Sequence, residues 1–267
     1  MNEITQQGFF KKILEHIVRS NIYLFIICRY LVDKYLTSMV YESDYEFFNY
    51  FKISRGLFLD IGANDGISAK SFRKYNKGMS IFSIEINSVN KIKLTRLKKK
   101  DKKFKFLIIG SSNKNSNQIL YQPYFKKYHL SPFDSLNLKE IERSIDFSLS
   151  IKNFYNKLKI KKKIVKVIKL DDLKLNPKII KIDIQGHEFK SIKGLHKTIK
   201  KNTPLILTEF NKETKKIYGY LKKFNYKMYY FRSPEKKMYE YVSGKPFNVF
   251  FLKKKHIKMT GSEIDFN

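Results

Sequence analysis

Three times in this chain a short apolar run ends on an acid and breaks into a turn. The runs are Leu57-Phe-Leu-Asp60-Ile-Gly, Ser80-Ile-Phe-Ser-Ile-Glu85 and Ile179-Ile-Lys-Ile-Asp183-Ile-Gln-Gly186. Runs this short and this rich in Ile, Leu and Phe read as strands buried on both faces, the signature of a parallel sheet. Between them, Ser68 to Tyr75 and Ser88 to Lys100 carry helical periodicity, so the pattern is strand, helix, strand. An open α/β sheet of that kind holds its ligands at the carboxyl ends of the strands. The three acids would therefore share one edge.

The first turn is Gly62-Ala63-Asn64-Asp65-Gly66, spaced Gly-x-x-x-Gly. Asn64 stands where a dinucleotide fingerprint has its second glycine, so the fit to a pyrophosphate is poor, although backbone N–H groups can still approach a ligand closely. Asp60 just before the turn would repel a phosphate and favour an ammonium or a sulfonium; S-adenosylmethionine carries both. The other reading of Asp60 is a turn-capping residue. Glu85 follows Asp60 by 25 residues, near the place where nucleoside-binding α/β folds hold ribose hydroxyls.

Leu-Asp-Ile-Gly-Ala-Asn-Asp-Gly (59–66), Ser-Ile-Glu-Ile-Asn (83–87), Leu-Asp-Asp-Leu (170–173), Lys-Ile-Asp-Ile-Gln-Gly-His-Glu (181–188) and Pro-Leu-Ile-Leu-Thr-Glu-Phe (204–210) fall in one order and spacing. In these motifs the chain resembles the FkbM-type methyltransferases over roughly residues 57 to 230. It departs from that pattern in two places, with Ile86 where the family usually has Pro and Gln185 where a second acid is commoner. The resemblance implies a class I methyltransferase (Rossmann-like) doubly wound α/β sheet, mostly parallel with a terminal antiparallel strand. It implies S-adenosylmethionine as cofactor, with Asp60, Gly62, Ala63, Asn64, Gly66 and Glu85 at its site. Ser111, in the loop after the third strand (Phe104 to Ile109), is a candidate for the adenine. The implied reaction is O-methylation of a sugar, glycan or secondary-metabolite hydroxyl.

Methyl transfer to a hydroxyl is an in-line displacement, and positioning alone can supply roughly 7–11 kcal/mol of its barrier. The alcohol must also lose a proton, so Asp183, His187 and Glu188 are the candidate bases. Asp183 lies nearest the strand end, and His187 has the most suitable unperturbed pKa. Against these roles, Asp183 could cap the following helix and His187 could be a packed interface residue. Glu209, ending the fifth strand, is a candidate to line the acceptor pocket.

The formal net charge of +31 invites a nucleic-acid reading. Yet of 55 basic residues only seven are arginines, the type suited to bidentate phosphate and guanine contacts. Nucleic acid is therefore not the expected partner, and a small-molecule or carbohydrate acceptor is. Ribose methylation of RNA and a non-catalytic cofactor-binding scaffold are the alternative functions. Cys28 is the single cysteine and the five histidines are scattered. The expectation is a cytoplasmic protein without a disulfide or a metal.

Residues 1 to 45 balance five basic against five acidic residues. Ile13, Ile17, Leu24, Cys28, Leu31 and Tyr35 form an apolar stripe at helical spacing. The uninterrupted apolar run from Ile22 to Cys28 is far short of the ~20 residues a membrane span needs. The charge balance argues against a surface-anchoring helix, which leaves a helix packed on the catalytic domain or on a partner subunit, as in a homodimer. The expected domains are an N-terminal helical extension (1–52), the methyltransferase domain (53–255) and a loosely ordered tail (256–267). Within the middle part, residues 113 to 160 lack periodicity and read as a long irregular insertion, the place for an acceptor lid.

Overall fold

The computed structural model describes residues 17–31, 43–260 and 264–266. These form two compact units, one from residues 43–119, 164–260 and 264–266, the other from residues 17–31 and 120–163.

In the larger unit, β1 (Leu57–Ile61), β2 (Ser80–Glu85) and β3 (Phe104–Ile108) pair in parallel, in that order. The two-residue β4 (Gly110–Ser111) follows and pairs with the end of β7 (Lys159–Ile168). On the other flank of β1 lie β8 (Pro177–Ile182) and then β9 (Leu205–Glu209), both parallel to it. The sheet continues through β12 (Asn248–Leu252), which is antiparallel to β9 on one side and to β10 (Lys227–Arg232) on the other. β11 (Lys237–Glu240) and β13 (Asp265–Phe266) complete the nine strands, in the order β13-β11-β10-β12-β9-β8-β1-β2-β3. The mostly parallel sheet and the antiparallel pairing of residues 226–231 with 247–252 agree with the expected architecture.

Strand alternation feeds two separate cores. Phe58 and Ile179 point to the layer of helices Phe47–Tyr50, Ile67–Tyr75 and Lys91–Lys100, where Phe58 stacks on Phe72 with centroids 4.0 Å apart. Leu59, Ile61, Ile180 and Ile182 point the other way, onto Ile192, Leu195, Ile199 and Ile217 of the helices on the opposite face. Each such side chain is fully buried, worth about 1.5–3 kcal/mol apiece. The sheet is therefore sandwiched, and its carboxyl edge is where the chain turns.

The smaller unit corrects the expectation of an irregular insertion. It holds the outer ends of two ten-residue strands, β5 (Ser116–Phe125) and β7 (Lys159–Ile168), the short β6 (Tyr128–His129) hairpinned to β5, and the helix Leu138–Ser148. Asn137 caps that helix by accepting the Lys139 N–H at 3.2 Å. Ile141, Ile145 and Leu149 then share one face and pack with Phe125, Leu130, Phe133 and Phe154. The aromatic, basic segment 121–133 thus contributes its Phe residues to packing. Lysines at five of the ten β7 positions hide its strand character.

The helix Ile22–Leu31 belongs to this same small unit: Ile22, Phe25 and Ile26 pack into its core. Of the expected stripe, Ile17, Leu24 and Leu31 are exposed on this chain; Ile13 and Tyr35 lie outside the described residues. A boundary at residue 52 does not anticipate that shared core. The C-terminal segment is likewise better ordered than expected. Lys254–Lys258 is helical, His256 is buried with its ring on Thr203 O at 3.0 Å, and β13 pairs with β11.

Candidate active site

Register builds the centre of the site. Asp60 of β1 stands opposite Ser83 of β2 on one side and Lys181 of β8 on the other, making a polar rung across the three middle strands. Its carboxylate accepts the Ser83 hydroxyl at 2.8 Å and the Ser68 hydroxyl at 2.8 and 2.9 Å, and lies 3.9 Å from Lys181 Nζ. Burial pushes the Asp60 carboxyl above its usual range, against the pull of Lys181 and the two serines. Asp60 has no exposed surface. The cation it faces is Lys181, because strand register delivers that amine to the same buried row.

The turn above this rung is tight. Gly62 sits at φ +87°, and a Cβ there would come within 1.8 Å of the Asp183 carbonyl oxygen. Asn64 is also left-handed, at φ +48°. Ala63 is buried beside them and donates its N–H to Ile84 O, while Gly66 leads into the helix Ile67–Tyr75. Glu85 ties the turn to the tip of β2, its two oxygens accepting the Asn64 and Asn87 N–H groups at 2.7 Å each. Asn90 also bonds it, and burial outweighs these donors and lifts its carboxyl to about 7. A carboxylate offers about four lone-pair sites, so room for a further donor remains.

At the tip of β8, Asp183 accepts from Lys181 Nζ at 3.3 Å and from the Gln185 amide at 3.2 Å. Lys181 also reaches Gly62 O at 3.4 Å, so one amine links the Asp60 row, the glycine turn and Asp183. Gln185 and Gly186 are both left-handed, at φ +53° and +87°. Their turn is closed by Glu188, which accepts the Ile184 and Gly186 N–H groups at 3.1 Å. Glu188 is fully buried, and burial raises its carboxyl to about 7. His187 is buried too, its Nε2 3.2 Å from the Ser112 hydroxyl; burial and then Lys190 press its pKa down to about 4. Ser111 bonds Ser191 Oγ at 2.6 Å. Of the three candidate bases, Asp183 alone keeps an open side chain, 30% exposed.

Sequence reasoning missed Lys181. The available signal was a lysine at the centre of Ile-Ile-Lys-Ile, since a charge in a strand buried on both faces must have a partner. A cleft of about 290 Å³ opens along the sheet edge at Tyr230, Arg232, Lys245, Phe247, Asn248 and Asp44. Asn248 stands in register with Glu209. Among the described residues no three His, Cys, Asp or Glu side chains gather as a metal site.

Residues 60–228 match the Methyltransferase FkbM domain. Among solved structures, the FkbM methyltransferase of Methylobacillus flagellatus is similar at 15% identity and a TM-score of 0.49, over 74% of this chain and 44% of that one. A putative caffeoyl-CoA O-methyltransferase from Staphylococcus aureus is similar at 11% identity and a TM-score of 0.43, over 94% of this chain and 100% of that one. A TehB-like SAM-dependent methyltransferase from Corynebacterium glutamicum gives 10% identity and 0.42, over 85% and 94%. No curated protein matches the chain.

Proposed function

The chain belongs to the FkbM methyltransferase family, and from that premise we propose that it moves the methyl group of S-adenosylmethionine onto a hydroxyl of a sugar, glycan or secondary-metabolite acceptor. The observation that carries this reading is the convergence of the Asp60, Glu85 and Asp183 strand tips on the Gly62–Gly66 turn. The fold is the class I methyltransferase doubly wound sheet, with a mostly parallel centre. The residues fit the cofactor: Gly62 has no space for a Cβ, which keeps backbone at the surface of the turn, and Glu85 retains acceptor capacity for ribose hydroxyls. When bound, S-adenosylmethionine supplies an electrophilic methyl on sulfur.

The chain's own residues then do three things. Glu85 and the turn hold the nucleoside. Asp183, steadied by Lys181 and Gln185, accepts the hydrogen bond of the acceptor hydroxyl and takes its proton as the transition state forms. The cleft beside Asn248 holds the rest of the acceptor. Asp183 directly follows β8, Glu209 ends β9 and Asn248 begins β12, so the cleft lies about two strand spacings, some 10 Å, along the edge. Its aromatic walls, Tyr230 and Phe247, and its polar Asp44 and Asn248 suit a ring with hydroxyls. His187 and Glu188, being enclosed, shape the turn and position Asp183.

Calorimetry with S-adenosylmethionine and, side by side, nicotinamide dinucleotides tests the cofactor. Release of S-adenosylhomocysteine across a panel of glycosides and phenolic alcohols tests the reaction. Asp183→Asn should slow turnover by roughly 10²- to 10⁴-fold at unchanged S-adenosylmethionine affinity. Nicotinamide binding in place of S-adenosylmethionine would defeat the proposal, and a fully active Asp183→Asn protein would remove Asp183 from the role of base.

A further inference from the structure

The helix Ile22–Leu31 is apolar on both sides. Ile22, Phe25 and Ile26 face the core of the small unit. Tyr23, Leu24, Ile27, Tyr30 and Leu31 are 46%, 37%, 52%, 59% and 44% exposed. At 3.6 residues per turn those five project within one arc of about 120°. A helix apolar all round is ordinarily buried or in lipid, yet this one offers half of its apolar surface to water. Ten residues are too few to cross a bilayer, and no helix among the described residues is long and apolar enough to do so.

Charge singles out the partner. The balance counted over residues 1 to 45 conceals what the helix itself carries: from Ile17 to Leu31 the charged residues are Arg19 and Arg29, with no acid. Across residues 17–31 and 120–163, twelve Lys and Arg stand against four Asp and Glu. Lys126 marks the border of the exposed arc, its Nζ donating to the Tyr23 hydroxyl at 2.7 Å and lying 5.3 Å from the ring centre. An aromatic and aliphatic face bordered by a lysine, on a unit with a basic excess, suits the way an interfacial helix meets anionic headgroups. A second copy of this unit would bring like charge against like charge.

We propose that the Tyr23–Leu31 face docks the protein on an anionic lipid surface, the apolar arc entering the headgroup layer and the lysines of the small unit meeting the phosphates. The test is sedimentation of the full chain with mixed phosphatidylcholine–phosphatidylglycerol vesicles and with pure phosphatidylcholine vesicles. Binding should appear with the anionic vesicles, be absent or much weaker with the neutral ones, and fall as salt rises. Ile27→Glu should weaken it roughly tenfold or more, Tyr30→Ser should weaken it too, and Ile164→Glu, on an exposed apolar residue of the other unit, should leave it unchanged. Circular dichroism confirms that each variant folds; the two helix positions are more than 50% exposed, so neither supports the core. No binding to either vesicle, equal binding to both, or indifference to Ile27→Glu and Tyr30→Ser would overturn the proposal. So would a dimer in sedimentation velocity that Ile27→Glu converts to monomer, because a second copy would then be covering the face.

Discussion

Lys181 holds an unusual position for a lysine, in a strand covered on both faces, 3.9 Å from one carboxylate and 3.3 Å from another. Removing one partner of such a buried group leaves the rest uncompensated, which costs about 3–5 kcal/mol. Lys181→Met, similar in volume, should lower the unfolding free energy from urea titration by that order and weaken S-adenosylmethionine binding in calorimetry, because the Gly62 turn loses its tether. Glu85 gives a pH test. Its carboxyl sits at about 7, so the ionised form that accepts ribose hydroxyls is lost as pH falls through that value. The Kd for S-adenosylmethionine should therefore rise between pH 8 and pH 6, and Glu85→Gln should bind more weakly but with a flatter profile. The positions of Asp60, Glu85 and Asp183 could be read from the chain, since apolar runs ending in acids mark strand tips. The ligand of Asp60 could not: only register reveals that Lys181 and Ser83 flank it.

Elements with a clean period could be read from the sequence, and those without one could not. The five parallel strands β1, β2, β3, β8 and β9 are short and rich in Ile, Leu and Phe and stand out in any reading. The outer half of β7 does not, because Lys159, Lys161, Lys162 and Lys163 crowd around Ile160 there and the segment is solvated. The N-terminal helix misled for the opposite reason: with apolar residues on every side, the pattern says helix and leaves its inward face undetermined. The C-terminal helix Lys254–Lys258 is four-fifths lysine and histidine by composition, yet one buried side chain anchors it. His256 accepts the Lys253 N–H at 3.0 Å and meets Thr203 O at 3.0 Å. Burial presses its pKa from 6.5 to about 4, so the folded state holds the neutral ring. That stability is present above pH 6.5 and is lost as pH falls towards 4, by at most about 3 kcal/mol. His256→Gln, which can keep both hydrogen bonds, should flatten the decline in urea midpoint over that window.

The whole molecule carries 31 more positive than negative charges. Self-repulsion on that scale opposes compaction, and salt screens it over a Debye length of about 10 Å at 0.1 M. The Tm should therefore climb between 20 mM and 300 mM sodium chloride, an expectation for scanning calorimetry, while vesicle binding weakens over the same range. The chain contains no tryptophan, so fluorescence would follow tyrosine. At this scale the sheet order has a consequence for synthesis. β12 is inserted between β9 and β10, both of which precede it, and all five of its residues are buried. A ribosome making this protein thus exposes two unmatched strand edges until residue 252 has left the exit tunnel. The gap is closed only by a strand that arrives after both of its neighbours.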